Sequence, residues 1–582
     1  MLKFIYIFLT FLIAFNSFSN ATEQRNKSYF LPKILSDKDL QLYKNVAAYQ
    51  KKYQWEKANL ALSKVKNDIL VGHFQYEMLM HPNKYRSSYN ELSQWFKTNI
   101  DYPPVLRKRI YQLIKKRLPD KGKLKLYEKP LFNNYLRGYG EDSYYSHYIL
   151  PPKNINKKGL QYTVSTLINE KKDDKLINIV NQKYKNTSYV IYLIHNEIKK
   201  VYFSGSIRES QRLYDFYIKY LNIINPNMLF RAGINSYRLG KFKKSRNYFN
   251  ECNRLVQKDE NWLSAGCGYW GSLVESSKRK ERELLKRASN FPRTLYGQLA
   301  IEKLNISDPF IWKNNTNDRK INFSDLNQSK LFKRAVALTE VGLYNHADIE
   351  IRNLYSKTNK EEIKNLFYAS EKLALPAVLM RLGSKYRKKD FTLYMRGLYP
   401  TPDWKINDGF QIDKALLFAL IRRESAFNFK AKSSKGARGL MQIMPRTASK
   451  INNDYRLRYS KAYTLYSLQL NIDIGQKLLK RLINNSNSKN SILDALIAYN
   501  AGITRLKKWK KDISDIEPIV FIESIPIKET RWFVKYILTD LWIYRDKLQQ
   551  SKPSRQLLAD GKLPTYKNLD YQIIQDAKFR RK

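Results

Sequence analysis

The stretch ALLFALIRRESAF, residues 415–427, has the pattern of an amphipathic helix that carries an acidic side chain on its apolar face. Apolar residues lie three, four and seven positions before Glu424, at Ile421, Leu420 and Leu417. A helical period of 3.6 residues therefore places this carboxylate among buried side chains. Apolar neighbours and the negative end of the helix dipole both disfavour a negative charge there. The sequence predicts that the pKa of Glu424 is raised and that its carboxyl is protonated at neutral pH.

Two basic residues precede this glutamate directly and carry the opposing charge. Arg422 and Arg423 would lower the pKa of Glu424 if their guanidinium groups lay beside it. Each residue advances an α-helix by about 100°, so we expect both side chains to point elsewhere.

Helical spacing of apolar residues recurs along the whole 582-residue chain, and no run of alternating strands is found. A short theme repeats at residues 204–210, 239–245 and 341–347: a Gly, a bulky residue two positions later and a small residue three after that. Residues 52–58 repeat it with Tyr53 in the Gly position. The Gly can end one helix in a left-handed conformation, and the small residue lets the next helix approach. The theme predicts an all-α protein whose helix pairs stack as a degenerate α-solenoid, with an irregular helical domain as the alternative.

The order of these patterns predicts five regions. A signal peptide is followed by an α-superhelical domain and a shorter helical linker domain. The proline-containing stretch GLYPTPDW leads into the last domain, after which a basic tail closes the chain. The predicted boundaries are 1–21, 22–328, 329–396, 397–565 and 566–582.

The N-terminus has the layout of a secretory signal peptide. Lys3 precedes an apolar run at residues 4–15, and the small residues Ser19 and Ala21 follow. This layout predicts cleavage near Ala21, export, and no membrane anchor thereafter. An uncleaved anchor is the alternative, although the run is shorter than the ~20 residues that a membrane span needs.

Export also suits the cysteine content of the chain. Its two cysteines, Cys252 and Cys267, are spaced for a disulfide between neighbouring helices in an oxidising compartment. A reduced pair of packing cysteines is the alternative.

The formal net charge of +54 is spread along a chain rich in Lys, Asn, Ile and Tyr rather than clustered. No motif that interleaves aromatic and basic residues for nucleic-acid binding is found, so no nucleic-acid partner is expected. Loose attraction to an acidic envelope polymer is the better use of this charge. The five His are scattered without metal-ligand spacing, and no phosphate-binding loop occurs, so neither a metal nor a cofactor is predicted.

Three motifs of the last domain follow Glu424. The first, SSKGARGLMQIMP at residues 433–445, surrounds the amide of Gln442 with apolar residues, and that amide must find hydrogen-bonding partners. The second, SILDALIAYNAG at residues 491–502, reads as a helix that ends with Tyr499 and Asn500. The third, ESIPIKETRWFVKYIL at residues 523–538, places Glu529 near a helix N-terminus, where a carboxylate suits the helix dipole.

Together, ESAF, GLMQIMP, AYNAG and IPIKETR resemble, in order and spacing, the catalytic domain of soluble lytic transglycosylases, over roughly residues 404–545. The resemblance implies a lysozyme-like, mainly helical catalytic domain that follows a U-shaped superhelical domain and a linker. It also implies that Glu424 is the catalytic acid/base. The groove residues that it implies are Ser433, Met441, Gln442, Met444, Tyr499, Asn500 and Glu529. Arg438 stands where the family commonly has a small residue, which leaves the loop contacts open.

No second acidic residue near Glu424 has support from a motif. Asp473 and Asp494 are interpreted as helix-surface residues, and Glu529 as structural or ligand-facing. A mechanism with one carboxylate is therefore expected, although glycoside cleavage usually employs two.

The resemblance implies an enzyme that cleaves the MurNAc–GlcNAc bond of peptidoglycan and leaves 1,6-anhydro ends. Two alternatives are a lysozyme-like hydrolase on the same fold and a non-catalytic envelope scaffold. The expected partners are glycan strands and envelope proteins on the solenoid, and the expected state is a monomer in the periplasm of a Gram-negative type of envelope.

Overall fold

A computed structural model describes residues 31–119, 127–131, 136, 157–183, 188–221, 225–257, 261–312, 321–359, 362–387, 389–485, 490–514 and 516–570. The predicted signal peptide and residues 571–582 of the predicted basic tail lie outside the described residues. Within them the regular elements are helices, and the only β-type pairings are isolated bridges such as Lys432–Arg438. The predicted all-α class is confirmed. None of the described helices is both long and apolar enough to span a lipid bilayer.

The chain forms two compact units. The first unit comprises residues 1–142, 311–405 and 426–430, and the second comprises residues 143–310, 406–425 and 431–582.

The first unit contains helices from two separate parts of the chain. From the N-terminal part come α1 (Asp37–Lys51), α2 (Trp55–Leu62), α3 (Val71–Leu79), α4 (Tyr89–Thr98) and α5 (Pro104–Arg117). From the later part come α15 (Ser324–Gln328), α16 (Lys330–Glu340), α17 (Tyr344–Leu354), α18 (Ile363–Lys372), α19 (Pro376–Ser384) and α20 (Phe391–Leu398). Side chains from both parts, such as Tyr43, Phe74, Phe332 and Phe367, share one apolar core.

The second unit begins with helices α6 (Lys157–Asn169), α7 (Asp173–Lys183), α8 (Ser188–Phe203), α9 (Ile207–Tyr220), α10 (Pro226–Arg238), α11 (Phe242–Leu255), α12 (Asn261–Leu273), α13 (Lys278–Ser289) and α14 (Leu295–Leu304). From α8 to α14 each helix packs against the next, and α12 also packs against α10 and α14. This is the stacking of helix pairs that the sequence predicts. The Sγ atoms of Cys252 in α11 and Cys267 in α12 are joined by a disulfide, with 5.9 Å between the Cα atoms.

The conformation of the repeated theme explains these turns. Gly205, Gly240 and Gly342 have φ of +95°, +69° and +78°, and Tyr53 adopts a φ of 60° in the equivalent position. The small residues that follow are fully buried between the paired helices: Ala58, Ser210, Ser245 and Ala347. The bulky residue of the theme does not anchor every turn, since Phe242 is 52% exposed.

The second unit is completed by helices from the last part of the chain: α21 (Lys414–Ser425), α22 (Pro445–Asn452), α23 (Leu468–Ile483), α24 (Ile492–Ala501), α25 (Ile503–Asp512), α26 (Pro518–Ser524), α27 (Lys528–Lys547) and α28 (Pro553–Ala559). The 20-residue helix α27 packs along α21 and also contacts α14, α24 and α26. The position of α21, which carries Glu424, is therefore set by its packing against α27.

A buried ionic cluster joins α26 and α27 to α10 and α14, two of the stacked helices at the start of this unit. Glu523 accepts a hydrogen bond from the Tyr296 hydroxyl and pairs with Lys535 of α27. Arg231 of α10 lies with Nη2 at 2.8 Å from the same carboxylate. Burial alone would raise the pKa of Glu523, but Lys535 and Arg231 outweigh it and lower the pKa to about 2. Removal of one member would leave a buried charge unpaired, so this cluster fixes the two sets of helices together.

Candidate active site

Helix α21 is fixed at both ends by buried ionic contacts. At its start, Asp413 Oδ1 accepts from the Leu416 N–H at 3.0 Å, and Asp413 Oδ2 accepts from Arg545 of α27 at 2.8 Å. Near its end, Arg422 Nη1 donates to Asp540 Oδ2 of α27 at 2.7 Å. These contacts hold the last turn of α21 in one position relative to α27, and that turn carries Glu424.

The first residues of the predicted tail support the same helix start. The Lys414 N–H donates to Asp570 Oδ2 at 2.7 Å, and the Asp413 N–H donates to the Tyr566 hydroxyl at 2.9 Å. Two main-chain donors at the start of α21 are thereby satisfied by side chains from the C-terminal segment.

Glu424 combines a strongly perturbed acidity with access to solvent. Its side chain is half-buried, and burial raises its pKa to about 8. The charge of Arg423 lowers this pKa, whereas the charge of Glu529 raises it. A carboxyl with these properties is protonated at neutral pH, as the apolar stripe of α21 predicts, and can still meet a ligand.

The expectation for the two arginines is correct for one and incomplete for the other. Arg422 points away into its pair with Asp540. Arg423 lies 3.5 Å above the ring of Tyr536, yet its charge still lowers the pKa of Glu424. Helical rotation turns the Arg423 guanidinium aside without moving its charge beyond electrostatic range.

The Gly-rich loop, residues 433–444 between α21 and α22, is a tight turn closed by hydrogen bonds of its own main chain. Arg438 and Ile443 exchange two main-chain hydrogen bonds of 3.0 Å. The Ser433 hydroxyl accepts from the Ala437 N–H at 3.0 Å. Gln442 adopts a left-handed φ of 47°, and its side-chain amide donates to the Gly439 carbonyl at 2.8 Å. The amide thus finds a partner within the loop and the residue stays partly exposed.

Asn471 of α23, which lies in none of the sequence motifs, holds this loop in place. Its Oδ1 accepts from the Met441 N–H at 2.8 Å, and its Nδ2 donates to the carbonyls of Arg438 at 2.9 Å and Leu465 at 2.7 Å. The only signal in the sequence is an amide at an inward position of a helix, where it must find partners.

The two methionines of the loop point in different directions. Met441 is fully buried, and a Cβ added to Gly475 of α23 would lie 2.1 Å from its Sδ. Its side chain therefore packs into the core, and its carbonyl makes the contacts of the site. Met444 is 39% exposed and its thioether is accessible to a ligand.

Tyr499 connects the loop to the neighbourhood of Glu424. Its hydroxyl donates to the Met441 carbonyl at 2.7 Å, and its ring stacks on Phe533 of α27 with an interplanar angle of 5°. Burial and then the charge of Glu424 raise the pKa of Tyr499 well above its usual range. Tyr499 is therefore a neutral phenol within the electrostatic range of Glu424.

Asn500, near the end of α24, contacts the start of α27, where Glu529 lies. Asn500 Oδ1 accepts from the Thr530 hydroxyl at 2.7 Å. The Glu529 side chain is 71% exposed, with Lys435 Nζ of the Gly-rich loop at 3.9 Å. Glu529 lies in the first turn of α27, where the sequence predicts an acidic residue. Its charge raises the pKa of Glu424 because α27 packs against α21.

One acidic residue departs from its predicted place. Asp494 is interpreted from the sequence as a helix-surface residue, but the structure buries it and pairs it with Lys510 at 2.7 Å. That surface assignment is wrong, because α25 folds back on α24 and covers this side of the helix. Asp494 and Lys510 therefore form a structural ion pair.

Removal of the charge of Glu529 and removal of the charge of Arg423 should shift the pKa of Glu424 in opposite directions. Glu529→Gln removes the negative charge that raises the pKa of Glu424, so we expect this pKa to fall. Arg423→Gln removes the positive charge that lowers it, so we expect it to rise. The shift for Glu529→Gln should be below about one pH unit, because Glu529 is largely exposed and screened by solvent. Carbon-detected NMR titration of labelled glutamates, assigned with Glu424→Gln, measures both shifts, and equal signs would contradict this account.

Comparison with known proteins gives this site a family. The profile of the transglycosylase SLT domain matches residues 405–520, which contain Glu424, the Gly-rich loop, Asn471, Tyr499 and Asn500 but neither α27 nor the C-terminal Tyr566 and Asp570. The membrane-bound lytic murein transglycosylase E of Buchnera aphidicola subsp. Baizongia pistaciae is 32% identical over 151 residues, which cover 24% of this chain and 69% of that protein. The chain belongs to the SLT family of lytic murein transglycosylases.

Longer members of the SLT family match a larger part of the chain. The soluble lytic murein transglycosylases of Salmonella typhimurium and of Escherichia coli strain K12 are each 29% identical, over 293 and 286 residues. These matches cover 49% and 48% of this chain but only 44% and 43% of the relatives, so the chain spans less than half of their length. Among solved structures, the 70 kDa soluble lytic transglycosylase of Escherichia coli aligns with 92% of this chain and 100% of its own, at 18% identity and a TM-score of 0.48.

Proposed function

We propose that this SLT-family protein is an exported lytic transglycosylase that cleaves the bond between N-acetylmuramic acid and N-acetylglucosamine in peptidoglycan and leaves 1,6-anhydro ends. The observation that carries the proposal is the state of Glu424. It is the only carboxyl of the SLT domain that combines a position on the apolar face of α21, partial exposure and a pKa of about 8 among the described residues.

The first step uses Glu424 as a general acid. Its proton passes to the glycosidic oxygen, the bond from that oxygen to C1 breaks, and the N-acetylglucosamine side leaves as an alcohol. The positive charge that develops at C1 faces the carboxylate that has just formed. A carboxyl that is protonated at neutral pH is required for this step, and burial of Glu424 supplies it.

The second step uses the same group as a general base. The Glu424 carboxylate takes the proton of the C6 hydroxyl of the muramic acid, and O6 bonds to C1. The ring closes as a 1,6-anhydro sugar, and Glu424 is protonated again. Because the substrate supplies the nucleophile, no second carboxylate is needed, in contrast to the usual pair of glycosidases.

The proposed groove lies around this carboxyl and holds the substrate by polar and apolar contacts. Tyr499 offers a neutral phenol anchored on the Met441 carbonyl, and Gln442 offers an amide fixed by the loop. Met444 offers an exposed apolar surface. The proposed substrate-contacting residues are Ser433, Met441 through its main chain, Gln442, Met444, Tyr499, Asn500 and Glu529.

The products of the reaction test the proposal. Purified sacculi are digested with the full chain in isotopically labelled water, and the muropeptides are analysed by mass spectrometry. We expect anhydro ends that are lighter than reducing ends by one water and that carry no label. Hydrolysis would give labelled reducing ends and would replace the transglycosylase assignment by a lysozyme-like one. No soluble product at all would favour a glycan-binding scaffold.

We further propose that the protein acts in the periplasm after cleavage of a signal peptide near Ala21, as a monomer and without a cofactor. The layout of the N-terminus supports export, and the even number of cysteines suits an oxidising compartment. N-terminal sequencing of the protein recovered from the periplasm would test the cleavage site.

A further inference from the structure

Two tyrosines project into solvent from a short turn that follows α22. Tyr455 is 66% exposed and Tyr459 is 58% exposed. Their ring centroids are 5.2 Å apart, and the two hydroxyls lie at 3.4 Å from each other. Other aromatic side chains of the SLT domain are buried instead, Phe418 and Trp509 among them. Two adjacent exposed rings form a small local apolar patch.

The turn that carries these rings is locally constrained. A 3₁₀ helix spans Tyr455–Arg458, and the Asp454 side chain accepts from the Arg456 N–H at 3.0 Å at its start. Leu457, between the two tyrosines, is buried and anchors the turn to the domain. The rings are therefore held outward by a fixed main chain. This arrangement lowers the entropic cost of ordering them when a ligand binds.

The turn is continuous with the wall of the proposed groove. It packs against α22, which begins directly after the exposed Met444. The next 3₁₀ helix, Ala462–Tyr466, contains Leu465, whose carbonyl accepts from the same Asn471 amide that holds the Gly-rich loop. The Arg438 guanidinium of that loop lies 5.8 Å from the ring centroid of Tyr466. The turn is therefore linked, through α22 and the 3₁₀ helix that follows it, to the loop that carries Met444.

The charged groups around the rings carry a net positive charge. The single carboxylate, Asp454, accepts from Arg456 Nε at 2.8 Å and lies 3.7 Å from Lys461 Nζ. The Arg458 guanidinium is 5.3 Å from the ring centroid of Tyr459. One carboxylate therefore faces three cations, so the salt dependence of binding has to separate ring stacking from electrostatic attraction.

We propose that Tyr455 and Tyr459 form a sugar-stacking platform that binds the glycan strand outside the cleaved bond. Aromatic faces carry negative partial charge and attract the polarised C–H groups on the flat face of a pyranose ring. The two hydroxyls at the ring edges can exchange hydrogen bonds with sugar hydroxyl and acetamido groups. The choice of peptidoglycan as the glycan rests on the proposed function.

The test measures binding without cleavage. Full-length Glu424→Gln protein is titrated calorimetrically with neutral β-1,4-linked N-acetylglucosamine oligomers, one short enough to fill the groove only and one several sugars longer. We expect Tyr455→Ala with Tyr459→Ala to weaken binding of the long oligomer about ten-fold and to leave the short one unchanged. The pair Tyr455→Phe with Tyr459→Phe should retain most of the affinity, because the rings remain.

Two controls make the result specific. Tyr162→Ala removes an equally exposed tyrosine, 73% accessible, from α6 and should change neither affinity. Salt titration of the parent and the variants separates stacking from electrostatic attraction, since only the latter weakens with salt. Equal loss for both oligomers, no loss at all, no binding of either oligomer, or a loss confined to low salt would each overturn the platform.

The outcome is independent of the chemistry at Glu424. If the protein proves not to cleave sacculi, a loss that is confined to the long oligomer still supports the platform. If cleavage is found and the tyrosine variants bind as the parent does, the platform is wrong and the proposed function stands. In the active protein the variants should raise the KM for sacculi and leave kcat unchanged, because the rings do not contact the reacting atoms.

Discussion

Glu424→Gln is expected to keep the fold and to lose nearly all cleavage of peptidoglycan. Gln has almost the same shape as the protonated carboxyl that the pKa of about 8 implies, so the last turn of α21 should pack unchanged. The amide can neither donate the proton to the glycosidic oxygen nor take one from the C6 hydroxyl. A single general acid or base contributes about 100- to 10,000-fold, and here one group performs both roles. We therefore expect a fall of at least about 1,000-fold in the rate of release of muropeptides from sacculi.

A matched control separates the role of Glu424 from a general effect of removing a carboxylate. Glu283→Gln changes the same functional group on the exposed face of α13, where the side chain is 61% accessible. It should retain full activity. The thermal midpoint of Glu424→Gln should equal or exceed that of the parent, because a buried acid no longer has to be held in place. An active Glu424→Gln protein with an intact fold would remove the proposed mechanism altogether.

The pH dependence of cleavage follows from the same residue. The protonated form is the acid, so kcat/KM should fall as the pH rises through about 8, the pKa of the free protein. Glu529→Gln should move this limb to lower pH and Arg423→Gln to higher pH, which are the directions expected for the titration of Glu424 itself. A basic limb that neither variant moves would belong to another group.

The sequence predicts the parts of this site that local pattern determines. The period of α21 is enough to place Glu424 on the buried face, because helix geometry fixes which residues share a face. The positive φ of Gly205, Gly240 and Gly342 follows from a residue type that adopts this conformation without steric cost. The role of each groove residue still rests on the resemblance, and the experiments above test it.

Contacts between distant segments could not be predicted from one sequence. Asn471 lies about 30 positions from the Gly-rich loop that it clamps, and Asp540 lies more than 100 positions from Arg422. Asp494 is misassigned for the same reason, since the helix that covers it follows a turn whose direction the pattern does not determine. Such pairs depend on how α21, α23 and α27 pack. The spacing of apolar residues in one helix shows which face is buried but not which helix covers that face.

Gly439→Ala is expected to be the most damaging single methyl addition in the loop. Gly439 has a φ of +77°, and an added Cβ would lie 2.3 Å from the Leu465 carbonyl oxygen and 2.4 Å from Asn471 Nδ2. The left-handed conformation alone costs an L-residue about 1–2 kcal/mol. Displacement of the Asn471 amide would also leave buried carbonyls without a donor, at about 1–3 kcal/mol. We expect a combined loss of about 3 kcal/mol and faster hydrogen exchange over residues 436–443.

Gly436→Ala is the matched control in the same loop. Gly436 also has a positive φ, +90°, but an added Cβ would meet nothing within 4 Å. It should pay only the conformational cost of about 1–2 kcal/mol. Equal effects of the two substitutions on the thermal midpoint and on exchange would show that backbone strain, and not the contact with Asn471, dominates at Gly439.

The damage at Gly439 should reach the catalytic centre through Asn471. The Asn471 side chain holds the Met441 N–H, and the Met441 carbonyl holds the Tyr499 hydroxyl beside Glu424. Gly439→Ala and Asn471→Ala should therefore each reduce kcat, and their combination should reduce it little further, because both act through one clamp. Gly436→Ala combined with Asn471→Ala should instead be close to additive. Additive losses in the first pair would mean that the loop and Asn471 position Tyr499 independently.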